Sequence, residues 1–221
     1  MMKTIIISLG GSVLVQDKIN IKILKELRKI ILKSKNKFVI VPGGGKTARN
    51  YINAVKKLFH LTKDDLDWIG IHATRLNAQL VRMVFEDIAE KKIAKDPTKK
   101  VAFKKVLIGA GWKPGASTDY DAVLLAKTYG AKFVVNITSV EQLYNKNPLI
   151  YKNAKPIEKI DWNGFMKIIP KKFESGANVP FDVVAAKEAK KLGLKVIILG
   201  PDLRNFEKFL QGKPFLGSVI G

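Results

Sequence analysis

The run Val41-Pro42-Gly43-Gly44-Gly45-Lys46-Thr47-Ala48-Arg49 follows an apolar segment and leads into an amphipathic one. A strand, a glycine turn and a helix N-terminus in that order make an anion site. Three glycines let the backbone approach a bulky anion, the helix start offers unpaired N–H groups and a positive dipole end, and Lys46 and Arg49 add charge. Gly45-Lys46-Thr47 looks like the end of a P-loop. That motif needs a glycine five positions before its last glycine, and position 40 is Ile40. Glycine turns also join strands to helices without binding anything, so the surrounding chain has to decide the reading.

On the N-terminal side, Lys3 to Leu9 reads as a buried strand, followed by a second glycine turn, Gly10-Gly11-Ser12. Asn20 to Ser34 places Ile23, Leu24, Leu27, Ile30 and Ile31 at helical spacing, with Asn20 as N-cap. The strand Lys37 to Val41 leads into the opening motif and a helix to about Leu58. A long apolar-periodic helix is predicted from Asp67 to Glu90. A basic connector around Pro97 follows, then a strand over Val106 to Ile108 and a third glycine-rich turn from Gly109 to Asp119. The second half continues with helix Asp119 to Tyr129, strand Lys132 to Ile137, a loop containing Tyr144 and Pro148, and a helix near Asp161 to Ile169. Helix Phe181 to Leu192, strand Lys195 to Leu199 and helix Leu203 to Leu210 follow, and Gly212 to Gly221 reads as a closing turn or edge strand. The loop Pro170 to Pro180, with Ser175-Gly176, is predicted to be mobile. This alternation predicts an α/β fold with a parallel sheet and helices on both faces. No repeat or low-complexity linker interrupts it, so residues 1–221 read as one domain.

With 221 residues and 47% apolar content the chain can bury a sizeable core. No apolar run approaches the roughly 20 residues of a bilayer span, and the Ile5-Ile6-Ile7 run is too short for a signal peptide, which predicts a cytoplasmic protein without membrane partners. Absence of cysteine excludes disulfides, thiolate catalysis and zinc–cysteine sites. The two histidines, His60 and His72, read as structural. Forty basic against 19 acidic residues give a net charge of +21, a value associated with nucleic-acid binders. The lysines are scattered along most predicted helices, however, and no aromatic-interleaved basic motif accompanies them. The charge is therefore read as a solvated surface that attracts anionic substrates, not as a nucleic-acid interface.

Three glycine turns at the ends of parallel strands would open on one edge of the sheet, where doubly wound folds bind ligands. Their combined capacity exceeds what one nucleotide monophosphate needs. It suits phosphoryl transfer, whose catalysis is mainly positioning and charge neutralisation.

Four pieces in one order then carry a family resemblance: Leu9-Gly10-Gly11-Ser12-Val13-Leu14; Gly43-Gly44-Gly45-Lys46-Thr47-Ala48-Arg49; Asp67-Trp68-Ile69-Gly70-Ile71 with Thr74-Arg75-Leu76-Asn77-Ala78; and Pro114-Gly115 with Ser117-Thr118-Asp119. Together they resemble the amino-acid kinase superfamily, and within it the archaeal-type uridylate (UMP) kinases, over nearly the whole chain. The resemblance implies a three-layer α/β/α sandwich with a mostly parallel central sheet, assembled as a homohexamer, that phosphorylates UMP to UDP with ATP and Mg²⁺ in pyrimidine nucleotide biosynthesis. Residues 1–130 would form mainly the acceptor and phosphate side, and 131–221 mainly the ATP side. It further implies that Gly11, Ser12, Gly45 and Arg49 lie by ATP. On the same resemblance Gly44 would face UMP, Asp67 would accept hydrogen bonds from the uridine ribose, and the loop Trp112, Lys113, Pro114, Gly115, Ala116, Ser117 and Thr118 would wrap the UMP. Asp119 matches the family's acid that orients the charged groups, and Lys46 is the leading candidate for neutralising the transferred phosphoryl. Read from the residues alone, Asp67 and the Ser117-Thr118-Asp119 group can equally be helix caps, and Lys46 and Arg49 surface cations.

The family's Thr-Asn-Val-Asp-Gly-Val-Tyr segment and following Asp-Pro, which line ATP, correspond here to Thr138-Ser139-Val140-Glu141-Gln142-Leu143-Tyr144 and Asn147-Pro148. The resemblance thus assigns Thr138, Ser139, Tyr144 and Asn147 to ATP. Where the family glycine has positive φ, Gln142 implies strain on the order of 1 kcal/mol or another loop shape. The first strand carries Ser8 where many members place a lysine. No carboxylate cluster reads as a metal cage, so no protein metal ligand is assigned and Mg²⁺ is expected on ATP oxygens and water. The alternatives are another small-molecule kinase, of the isopentenyl phosphate or carbamate type, and a catalytically inactive nucleotide-binding regulator. Pro42 and the lack of a histidine before His60 count against an isopentenyl phosphate kinase.

Overall fold

The structure is a computed structural model that describes residues 3–146, 150–170 and 180–221. Strand β1 (Thr4–Leu9) enters a one-turn helix α1 (Gly11–Leu14), and α2 (Ile21–Lys33), capped by the Asn20 side chain, returns to β2 (Lys37–Pro42). Helices α3 (Gly45–Lys56) and α4 (Lys63–Val84) precede β3 (Val106–Ile108), and α5 (Thr118–Tyr129) leads to β4 (Phe133–Ile137). A small antiparallel ladder, β5 (Leu143–Tyr144) with β6 (Pro156–Ile157), stands apart from the main sheet. The chain closes with β7 (Lys159–Ile160), α6 (Trp162–Ile168), α7 (Val183–Lys191), β8 (Lys195–Leu199), α8 (Leu203–Leu210) and β9 (Ser218–Ile220).

The seven-stranded sheet has the order β3-β2-β1-β4-β8-β9-β7 and is parallel except where β9 runs against β8. Alternate residues of each strand feed opposite cores, as the two-residue period of a strand requires. Ile5, Ile7, Phe38, Ile40, Val135 and Ile137 meet α2, α4 and α8, whereas Ile6, Val39, Val41, Val134 and Val196 meet α5, α6 and α7. Burial on both faces explains why these strands read as unbroken apolar runs, each fully buried Ile, Val or Phe contributing about 1.5–3 kcal/mol. The result is the three-layer α/β/α sandwich.

The structure departs from the sequence reading at four places. Helix α4 begins four residues before Asp67, because Thr62 and Asp65 form a reciprocal capping box, and it ends at Val84, short of Glu90. Asp67 is therefore not a cap. The C-terminal strand β9 is not an edge: it is inserted between β8 and β7, which is the edge strand. The two-residue strands β5, β6 and β7 are too short to carry a periodic signal. Among the described residues none other than glycine has positive φ, so Gln142, which is buried, carries no left-handed backbone strain. The loop read as mobile lies, between residues 171 and 179, outside the described residues.

Candidate active site

A cleft of about 750 Å³ opens at the C-terminal ends of β1, β2 and β4. Sheet order reverses there between β1 and β4, the position at which open α/β sheets bind ligands. Two glycine turns form its floor and interlock. A Cβ on Gly11 would lie 2.1 Å from the Gly45 amide nitrogen, and Gly45 itself has a φ of 60° that side chains disfavour. From α4, the Asn77 amide donates to the carbonyls of Gly43 at 2.8 Å and Gly44 at 3.2 Å, fixing the second turn. Helix α3 begins at Gly45, so its first-turn N–H groups lack intrahelical partners and its positive end faces the cleft. Arg49 also lines it.

The wall opposite is built by α4 and the loop after β3. Asp67, in the second turn of α4, is 7% exposed. One carboxylate oxygen accepts from the Gly115 amide at 2.8 Å, while the other has no protein partner although it is buried. Asp67 lines the cleft, and its unpartnered oxygen is shielded from solvent, so it can accept from a ligand hydroxyl once its neighbours shift to admit one.

Deeper in the cleft the first turn of α5 meets the start of α7. Ser8 donates to Asp119 Oδ1 at 2.7 Å, the Asp182 amide approaches Asp119 Oδ2 at 3.4 Å, and Ser117 hydrogen-bonds Asp182. Asp182 in turn caps α7 by accepting from Val184 and Ala185. Burial raises the Asp119 carboxyl above the usual range and the nearby Asp182 charge adds to this, the Ser8 bond and the Asp182 amide opposing them. Burial likewise pushes Asp121 up to about 8, against the bond from the Trp112 amide; the Asp182 and Asp119 charges raise it further and Arg75 opposes them. Between the unfolded value of 3.8 and about 8 the folded chain holds protons that the unfolded chain has lost, so its stability falls as pH rises. The ligand-free protein is expected to lose on the order of 1 kcal/mol per pH unit per such group between pH 5 and 8. Thermal melting across that range reads the slope, and Asp121→Asn should flatten it; a slope unchanged in the variant would remove Asp121 as its source.

Of the residues singled out from sequence, Gly11, Ser12, Gly44, Gly45, Arg49, Asp67, Ala116, Ser117, Thr118, Asp119, Thr138 and Ser139 line this one cleft. Trp112, Lys113, Pro114 and Gly115 belong to the same loop but are not among the lining residues; Gly115 reaches the site through its bond to Asp67. Ser117 caps α5 by accepting from the Tyr120 amide. The Lys46 ammonium points away to an exposed ion pair with Asp17. Tyr144 pairs with Pro156 in the small ladder and does not line the cleft, and Asn147 lies outside the described residues. Sequence reasoning missed Asp182, Asn136 and Phe181, which also line it. Asp182 could have been found from its place just before the amphipathic run of α7, a helix-cap signal.

The family model of the amino acid kinase family matches residues 3–200. Uridylate kinase of Thermoplasma volcanium is 36% identical over 228 aligned residues, spanning 100% of this chain and 98% of the relative. Uridylate kinase of Pyrococcus abyssi is 34% identical, spanning 95% of this chain and 96% of its own. The crystal structure of uridylate kinase from Archaeoglobus fulgidus matches with a TM-score of 0.81 at 32% identity, covering 100% of both chains.

Proposed function

The chain belongs to the amino acid kinase family, and on that premise we propose that it transfers the γ-phosphoryl of ATP to UMP, giving UDP and ADP. The observation that carries this reading is Asp67: a buried carboxylate on the cleft wall with one oxygen held by the Gly115 amide and the other unpartnered. A ribose hydroxyl satisfies that oxygen, and the acceptor phosphate then falls toward the interlocked glycine turns. UMP lies on the side of residues 1–130, against Gly44 and the loop 111–118; ATP lies against Gly11, Ser12, Gly45, Arg49, Thr138 and Ser139, with its base toward residues 131–221. The amides of Gly10, Gly43 and Lys46 are bonded within the protein and fix the turns, and the remaining amides of the two turns would hold phosphate oxygens.

Asp119, bonded to Ser8, orients the charged groups around the transferring phosphoryl. Lys46 neutralises that phosphoryl after exchanging Asp17 for it, a small step because exposed ion pairs hold weakly. Among the described residues no three acidic or imidazole side chains converge as a metal cage. A Mg²⁺ carried by ATP oxygens and water would neutralise phosphate charge. A homo-oligomer, hexameric by family resemblance, is supported by exposed apolar residues on α3 and α4, among them Tyr51, Trp68, Leu76 and Met83. The enzyme would serve pyrimidine nucleotide biosynthesis in the cytoplasm; none of the described helices is long and apolar enough to cross a membrane.

Purified protein incubated with Mg·ATP and, separately, UMP, CMP, dUMP, carbamate or isopentenyl phosphate should yield UDP fastest. Nucleotide binding without turnover of any acceptor would replace the kinase by a regulator, and preferred phosphorylation of carbamate or isopentenyl phosphate would replace the acceptor.

A further inference from the structure

The loop between β3 and α5 is tied from two sides at one peptide. From α4, Arg75 donates through Nε to the Gly111 carbonyl at 3.3 Å and through Nη2 to the Trp112 carbonyl at 3.2 Å. From α5, Asp121 Oδ2 accepts from the Trp112 amide at 3.2 Å. Neither side chain lines the cleft. Arg75 is itself set by the Trp68 ring, 5.7 Å from its guanidinium carbon, and Thr74 Oγ1 accepts from the Gly111 amide at 2.8 Å. Asp121 is 1% exposed, followed by the buried Ala122, Val123, Leu124, Leu125 and Ala126, and its other oxygen has no hydrogen-bond partner. The charged groups acting on it are Arg75, Asp119 and Asp182. Packing alone would favour an apolar side chain at such a position, since a half-satisfied buried carboxyl opposes folding. Its one hydrogen bond goes to the loop that leads to Asp67 and the cleft.

We propose that Arg75 and Asp121 form a two-sided clamp on the Trp112 peptide that positions the loop for acceptor binding. Neither is a catalytic residue; both act through the loop, setting where Gly115 and Ala116 stand against the acceptor. This inference rests on the reading of loop 111–118 as the acceptor side.

The clamp is tested on the full-length protein with two readouts. Asp121→Leu keeps the branching of the side chain, removes the acceptor oxygen and should raise the KM for UMP about tenfold, the upper end of the loss expected for one neutral hydrogen bond. The KM for ATP and kcat should stay within about twofold, and Asp121→Asn, which keeps an acceptor oxygen, should recover most of the loss. In the ligand-free protein, hydrogen exchange at the Trp112 amide should quicken in Asp121→Leu and much less in Asp121→Asn. Should Asp121→Leu fail to fold, Arg75→Lys on the half-buried partner carries the same expected KM split. Unchanged exchange, or an ATP KM that rises as much as that for UMP, overturns the clamp. Failure of the wild type to phosphorylate UMP would instead overturn the acceptor assignment, while exchange at Trp112 still decides whether the clamp exists.

Discussion

Asp67→Asn is expected to raise the KM for UMP by roughly 30- to 150-fold while the KM for ATP stays within about twofold, the loss of one charge-assisted hydrogen bond in a buried site being worth about 2–3 kcal/mol. The geometry sets both the size and the selectivity. One oxygen of Asp67 is already committed to the Gly115 amide, so an asparagine keeps its carbonyl there and puts its NH₂ where the unpartnered oxygen stood. A donor then faces ligand hydroxyls that need an acceptor. Because Asp67 sits in the second turn of α4, well inside the helix, the substitution leaves the Thr62 cap untouched and stability should change little. Initial rates with each substrate varied separately check this. Equal loss for both substrates would mean that the acid serves the whole cleft, and an unchanged KM for UMP would remove it from the acceptor site.

The second large effect is steric. In Gly11→Ala the new Cβ meets the Gly45 nitrogen at 2.1 Å and its Cα at 2.6 Å. These are backbone atoms that no rotamer change can move aside. Gly45 cannot retreat easily either, since its own φ of 60° fits the tight turn and Asn77 holds the carbonyls just before it. Overpacking of this kind costs about 3 kcal/mol, the upper part of the usual range. At about 2–4 °C per kcal/mol for a chain of this length, the melting temperature should fall by roughly 6–12 °C. Activity should fall further, by about three orders of magnitude, because both glycine turns on the cleft floor are displaced together. Gly115→Ala is the contrast: its φ is 78° but no atom lies within 4 Å of the added Cβ, so only strain of about 1–2 kcal/mol remains. A melting temperature lowered more by Gly115→Ala than by Gly11→Ala would show that close packing of the two turns is not what limits the site.

What could be read from the sequence was local chemistry. The glycine turns announced themselves because a close approach needs residues without a Cβ, and that need is written in the residue type. Helix α2 was equally plain, since Asn20 and the spacing of Ile23, Leu24, Leu27, Ile30 and Ile31 agree. The start of α4 is written in Thr62 and Asp65, although the apolar period becomes obvious only at Asp67. Contacts made only by the fold could not be seen. Asp182 is 63 residues from Asp119, and the two meet because α5 and α7 pack on the same face of the sheet. Asp121, flanked by apolar neighbours, has no partner within its own helix to suggest why it is there; Trp112 supplies the reason only once the loop is folded back. The insertion of β9 between β8 and β7 is likewise a choice among edges that a three-residue strand cannot signal.

The central position of β1 also shapes how the chain must be assembled on the ribosome. Ile6 pairs with Phe38-Val39-Ile40 neighbours soon after they emerge, but its other partner, Val134, lies 128 residues further along the chain. Counted from Val39, whose emergence completes the first pair, to Val134, about 5–20 residues per second gives an interval of roughly 5–19 s during which one long apolar edge of the nascent sheet stands open. Sequence-distant pairing of this kind is slow and exposes unsatisfied backbone meanwhile. The cleft straddles that same seam, so nascent chains that end before β4 hold the Gly10-Gly11 and Gly43-Gly44-Gly45 turns without the Thr138 side of the pocket. Nucleotide could aid maturation only after the β1–β4 pairing has closed.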